Sequence, residues 1–364
     1  MSALSHVLLH QSKHNSPPLA LQKTQKTYIN THSFFLYFLF LLYLSFLSTH
    51  THTKKMSPTV QCAYIGLGAM GNAMAGHIAQ KLSSLGCPPL LAFNRTQARA
   101  EALAQTHPVT VASSLDQVAT ANIIFSCLLN DAAVIETLDT LIPLLKTDTI
   151  LVEQSTISPA LAQKYAAKAK EAGVVYLACP VMGPPIKAKS GDLTVLMAGG
   201  ESAEIRGKVL PLLIPVVGKK VIELGLQDVA ESLRLKLCGN YFVTSVVEMV
   251  AEGMTLGEAS GVGQDKVKEL LDAVFPNSLM GVYADRMLKN TYKDEIAFPI
   301  TTAKKDVAHI VQLAKDSGAK LPITEAFLKN ADEVLENHGN YDLSSVVGNL
   351  RVQAGLHFDL AEKK

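Results

Sequence analysis

Two residues four apart, Lys236 and Asn240 in the stretch Arg234-Leu-Lys-Leu-Cys-Gly-Asn240, are the pair best suited to moving a proton. At that spacing their side chains share one helix face about a turn apart. A lysine on a helix is ordinarily a solvated charge. Here Leu233, Leu235, Leu237 and Cys238 surround it with apolar surface, and Gly239 lets another backbone or a ligand come close. Desolvation lowers the pKa of a lysine, so such a group can exchange a proton near neutrality while the amide orients the oxygen that gives or takes it. The implied chemistry is general acid/base work on a hydroxyl or carbonyl.

A second pattern names a partner for that chemistry. The run Cys62-Ala-Tyr-Ile-Gly66-Leu67-Gly68-Ala69-Met70-Gly71 has the glycine spacing of a dinucleotide fingerprint. Gly66 suits a tight turn, Gly68 lets backbone approach a pyrophosphate, and Gly71 allows close helix-on-strand packing. Glycine-rich strand ends are often only turns. Here an apolar strand, Val60 to Ile65, precedes the glycines and an Ala/Met-rich helix, Gly71 to about Leu85, follows, so the phosphates would meet a helix N-terminus. The end of the second strand selects the cofactor, because an acid there binds the ribose hydroxyls of NAD whereas an arginine accepts the 2′-phosphate of NADP. This chain has Asn94-Arg95-Thr96 and no acid, and the planar guanidinium suits a phosphate. The expectation is NADP, with NAD possible.

These residues need a scaffold, and the pattern from Val60 onward supplies one. Apolar strands at Leu90 to Asn94, Val109 to Ala112, Ile123 to Cys127 and Thr149 to Glu153 alternate with helices at Thr96 to Thr106, Ala132 to Leu145 and Ser158 to Ala172. Further strands follow at Val174 to Ala178, Thr194 to Ala198 and Lys220 to Glu223. Continuous apolar strands between amphipathic helices predict an α/β fold, a doubly wound Rossmann-type parallel sheet with ligands at the carboxyl ends of its strands. After Gly225 the pattern is all helical, opening with a long helix from Asp228 to Ser260 and broken at Phe275-Pro276, Phe298-Pro299 and Leu321-Pro322. The expected domains are 57–226 for the cofactor and 227–364 for substrate and dimerisation.

Composition limits the alternatives. The 364 residues suffice for two domains, and a formal charge of +1 gives no reason to expect a nucleic-acid partner. The five cysteines lie mostly in predicted strands or a helix without metal-ligand spacing, so they read as core thiols in a reducing compartment, cytoplasmic or mitochondrial, and no metal is expected. Residues 1–56 differ: they hold most of the histidines and the apolar run Phe34 to Leu47, which Ser33 and Ser48-Thr49 could extend. That run is shorter than a spanning helix needs and is poorly placed for a signal peptide. Residues 1–56 are therefore read either as a dispensable leader, with Met56 a reasonable beginning, or as a membrane anchor through residues 33–49.

The chain resembles the β-hydroxyacid dehydrogenase family, which includes 3-hydroxyisobutyrate dehydrogenase, glyoxylate and succinic semialdehyde reductases and, more distantly, 6-phosphogluconate dehydrogenase. The segments that carry the resemblance are Gly66 to Gly71, Asn94 to Thr96, Cys127-Leu-Leu-Asn-Asp131, Ser155-Thr-Ile-Ser-Pro159, Pro180-Val-Met-Gly183 with Ser190-Gly-Asp-Leu193, Lys236 to Asn240, and Lys305-Asp306. They occur in the family's order and span Val60 to Arg351. The resemblance implies hydride transfer between the nicotinamide and a hydroxyl-bearing carbon, with Lys236 as general acid/base and Asn240 orienting the oxygen. It also implies that Leu128 and Leu129 lie beside the adenosine, that Thr156 is near the nicotinamide, and that Lys305, backed by Asp306, closes over the cofactor. Backbone at Met182-Gly183 would hold a substrate carboxylate. Read without the resemblance, Thr156 could simply begin a helical turn and Lys305 could be a solvated charge.

One departure stands out. The family's Ser-Gly-Gly is replaced by Met182-Gly183-Pro184-Pro185, with prolines where N–H donors would be. The expected substrate is a small carbonyl compound or hydroxyacid, bulkier, less acidic or differently held than usual. Gly239-Asn240 in place of His-Asn argues against 6-phosphogluconate, and the presence of Lys236 argues against imine reduction. The rival from another class is a non-catalytic NADP(H)-binding protein. A long apolar helix has more face than one small domain covers, so a homo-oligomer is expected.

Overall fold

A computed structural model describes residues 59–360; the apolar run at 34–47 and the alternative start at Met56 lie outside the described residues. Nine strands are described: β1 Cys62–Ile65, β2 Leu90–Phe93, β3 Val109–Val111, β4 Ile123–Ser126, β5 Ile150–Glu153, β6 Val175–Ala178, β7 Val181–Met182, β8 Leu193–Gly199 and β9 Gly218–Glu223. Interleaved with them are helices α1 Gly71–Ser84, α2 Ala98–Ala104, α3 Leu115–Val118, α4 Asp131–Leu141, α5 Pro159–Glu171, α6 Pro185–Lys189 and α7 Ala203–Leu213. Then come α8 Ala230–Ala259, α9 Gln264–Val274, α10 Leu279–Leu288, α11 Ile300–Ser317, α12 Pro322–Asn337 and α13 Val346–Gln353.

The strand order is β3-β2-β1-β4-β5-β6-β8, with β1 at the point where the winding reverses. Strands β1 to β6 pair in parallel, and buried residues alternate between two cores, Cys62 and Tyr64 facing one and Ala63 and Ile65 the other. Helices cover both faces, which is why these strands are apolar throughout.

The sheet is not parallel to its end. β8 runs antiparallel to β6 and to β7, and only β9 returns parallel beside it. The pairs Leu177–Gly199, Ala178–Ala198, Val181–Val195 and Met182–Thr194 keep a single register, so β7 prolongs β6 past Cys179-Pro180 along the same neighbour. A two-residue strand beside a proline has too little pattern to read in sequence, as do the short helices α3 and α6. The expected helix to Leu145 ends at Leu141 and gives way to a 3-10 turn at Ile142–Leu144, because Pro143 cannot donate to the helical ladder.

Helix α8, 30 residues long, joins the two parts of the protein. Its first turns pack on α5, β6, β7 and β8, and its remaining length is surrounded by α9 to α13 around a third core. Among the described residues, no helix is long and apolar enough to cross a membrane.

Candidate active site

The glycine turn after β1 is shaped by its neighbours. Gly66 has φ +91°, and a Cβ there would stand 2.3 Å from the Cys127 carbonyl oxygen. At Gly71 a Cβ would stand 2.0 Å from the Gly66 carbonyl oxygen, so α1 can lie against the turn only without one. Above Gly68, by contrast, nothing comes within 4 Å, and no side chain caps α1 at Met70. Open space beside uncapped helical N–H groups suits a pyrophosphate, so the turn fits a dinucleotide on its own geometry.

Asn94 holds this turn in place. Its Oδ1 accepts from the Leu67 N–H at 2.9 Å, while its Nδ2 donates to the Thr96 carbonyl at 2.9 Å. The Arg95 side chain is 89% exposed, with Glu136 4.0 Å away across the rim. Ala69 is exposed, Leu129 is 70% exposed, and Leu128 packs against the core beside the turn. Beneath them Glu153 is buried. It accepts from the Ser126 hydroxyl and, at 2.7 Å, from the Ser155 N–H, and Ser155 Oγ accepts from Leu128 N–H at 2.7 Å. Burial raises the Glu153 pKa, with these hydrogen bonds working against the rise. The carboxyl thus ties the loop after β4 to the loop after β5, a role for Glu153, Ser126 and Ser155 that the sequence pattern did not signal.

Lys236 lies on α8 with 8% of its surface exposed. Burial lowers its pKa from 10.5 to about 8; Asp306 opposes the drop, and Lys305 adds to it. Asn240, on the next turn, donates from Nδ2 to Asp306 Oδ2 at 2.7 Å. Lys305 is no free charge. Its Nζ donates to the Thr156 carbonyl at 2.6 Å and lies 2.8 Å from Asp306 Oδ1. Its neighbour Lys304 pairs instead with Asp332. So Thr156, Lys236, Asn240, Lys305 and Asp306 come together where the sheet's carboxyl edge meets α8 and α11, with Met182 against α8 at Gly239.

Two expectations need correcting. The apolar neighbours of Lys236 do not all enclose it: Leu233 and Leu237 are buried, but Cys238 is exposed because it lies on another side of α8, so it is not a core thiol. What comes close at Gly239 is a side chain, that of Met182. A further tie was missed altogether. His309, one turn after Lys305, lies with Nε2 3.1 Å from Asp131 Oδ1, and Asp131 Oδ2 accepts from the Ser158 N–H at 3.3 Å. Burial works against the ionised Asp131, yet the His309 and Ser158 contacts outweigh it and keep its pKa low.

Comparison with known proteins adds the family. Residues 61–225 match the NAD binding domain of 6-phosphogluconate dehydrogenase, and residues 232–350 match the NAD-binding region of NADP-dependent 3-hydroxyisobutyrate dehydrogenase. The NADH-dependent oxidoreductase ucdB of Aspergillus ustus is 31% identical over 274 residues, 74% of this chain and 92% of that one. The chain belongs to the β-hydroxyacid dehydrogenase family. Within it, 2-hydroxy-3-oxopropionate reductase of Escherichia coli is 27% identical over 301 residues, 81% of this chain and 98% of that one. Mycobacterium tuberculosis 3-hydroxyisobutyrate dehydrogenase, solved with L-serine, shares the fold at a TM-score of 0.68 and 20% identity, covering 80% of this chain and 99% of its own. The protein is therefore an oxidoreductase of this family with a nicotinamide-dinucleotide fold.

Proposed function

We propose that the protein reduces a small carbonyl compound, or oxidises the matching hydroxyacid, with Lys236 as the general acid/base. The nicotinamide, when bound, supplies or accepts the hydride. Lys236 holds the proton for the substrate oxygen, and Asn240, fixed by Asp306 at 2.7 Å, orients that oxygen. Lys305, anchored on Thr156 and Asp306, brings α11 over the cofactor face formed by Gly66 to Gly71, Leu128 and Leu129. In this reading the substrate is met between a cofactor domain of 57–226 and a helical domain of 227–364. The observation that carries it is the buried Lys236 with its pKa lowered to about 8, beside an amide already held by a carboxylate.

NADP is the proposed preference, because Asn94 offers no carboxylate to repel a 2′-phosphate and Arg95 is exposed beside it. Phe242, Met249 and Leu256, spaced seven apart on α8, are 66%, 46% and 69% exposed, which supports a homo-oligomer built on that face. The test is NADPH oxidation over short semialdehydes, glyoxylate and ketones by wild type and Lys236→Ala. Turnover by the wild type, with kcat lower by about 10² or more in the variant and NADPH binding intact, supports the assignment. Equal inertness of both proteins with firm NADPH binding refutes catalysis on these substrates and favours a non-catalytic NADP(H)-binding protein.

A further inference from the structure

Strand β7 ends beside the catalytic face of α8. Met182 is held there by its pairing with Thr194 of β8. A Cβ on Gly239 would stand 2.7 Å from the Met182 methyl carbon and 3.0 Å from its sulfur, so the thioether lies on bare helix backbone. Gly239 is one turn after Lys236 and directly before Asn240, which puts that thioether beside the groups proposed to handle the substrate oxygen. The chain then turns through Gly183, at φ +137°, into Pro184 and Pro185, neither of which has an N–H to offer an anion. Ile186 follows, 70% exposed.

Three of the nearby cations are committed elsewhere. Lys305 is held by Thr156 and Asp306, Arg234 by Asp228, and Arg206 by the carbonyls of Gly199 and Gly225. Lys187 of α6 is exposed, and it is Lys219 that pairs with Asp192.

Resting on the function proposed above, we propose that Met182 makes the substrate wall beside Lys236 apolar, so that the protein acts on carbonyl compounds bearing an uncharged, apolar substituent in place of a carboxylate. A carboxylate placed against the thioether would lose water without gaining a donor. An alkyl or ester group there loses nothing and gains apolar contact with a side chain that adapts its shape.

The test compares succinic semialdehyde with its methyl ester on wild type, Met182→Ser and Met182→Leu. Two quantities are read: kcat/KM with NADPH, and Kd by calorimetry in the dead-end complex with NADP⁺, where no hydride can move. Wild type should favour the ester about tenfold or more in both, Met182→Ser should lower that ratio about tenfold, and Met182→Leu should leave it nearly unchanged. A preference for the acid, no binding of the ester, or a ratio untouched by Met182→Ser overturns the proposal. Discrimination in Kd without turnover would refute the catalytic reading and leave the apolar wall supported.

Discussion

The Lys236→Met variant keeps most of the length and the apolar stem of the side chain and removes its charged ammonium. In the native protein that charge is 8% exposed and its pKa is lowered from 10.5 to about 8, first by desolvation. A difference of that size corresponds to about 3 kcal/mol carried against folding whenever the ammonium is protonated, as it is at pH 7. Methionine removes this penalty without stranding the neighbouring acid, because Asp306 keeps Lys305 at 2.8 Å and Asn240 at 2.7 Å. The variant should therefore be inactive yet more stable than wild type at pH 7, by about 1–3 kcal/mol. The sign with pH is also fixed. Between pH 8 and 10.5 the unfolded chain holds the lysine proton and the folded one has released it, so wild-type stability rises with pH across that window. The advantage of methionine should narrow accordingly. Urea unfolding at pH 7 and pH 9.5 reads both effects. A variant no more stable at pH 7, or a gap that does not narrow, refutes the reasoning.

Glu248 offers the opposite case. It is 1% exposed, and burial, aided by Glu252 and opposed by the Asn330 hydrogen bond, raises its pKa from 4.5 to about 7. The folded protein keeps a proton that the unfolded chain loses, so this group's contribution to stability falls as pH rises from 4.5 to 7. Glu248→Gln should gain on wild type across that interval in urea unfolding, and a constant difference would contradict the assignment. His309→Ala removes the tie to Asp131 and should raise the cofactor KM about tenfold with kcat nearly kept, measured by steady-state kinetics; unchanged KM would show that the tie plays no part in closing the site. Arg95→Ala should weaken NADPH while sparing NADH, and equal loss for both cofactors would remove the basis for the NADP preference.

Strongly periodic segments were legible in the sequence. The glycine turn, the alternation of apolar strands with helices and the long helix α8 are set by local pattern, and each appears within a few residues of its expected place. The reversal at β8 was not legible, because an antiparallel return beside a buried parallel sheet uses the same apolar run as a parallel one. Lys236 and Asn240 could be singled out because their spacing is local. The tie of His309 to Asp131 joins residues 178 apart, and the buried Glu153 ties loops from two strands, so no sequence period marks either. Asn94 was legible as a position and not as a device, since its bonds to Leu67 and Thr96 appear only once the turn is folded.

The central claim is that Lys236 passes the proton, and the pH dependence of kcat/KM for NADPH-driven carbonyl reduction tests it most directly. A lysine acting as acid must be protonated, so reduction should be full below its pKa of about 8 and fall about tenfold per pH unit above it. The residual activity of Lys236→Ala should show no such inflection. A wild-type profile flat through pH 8, or the same inflection in both proteins, would contradict the account.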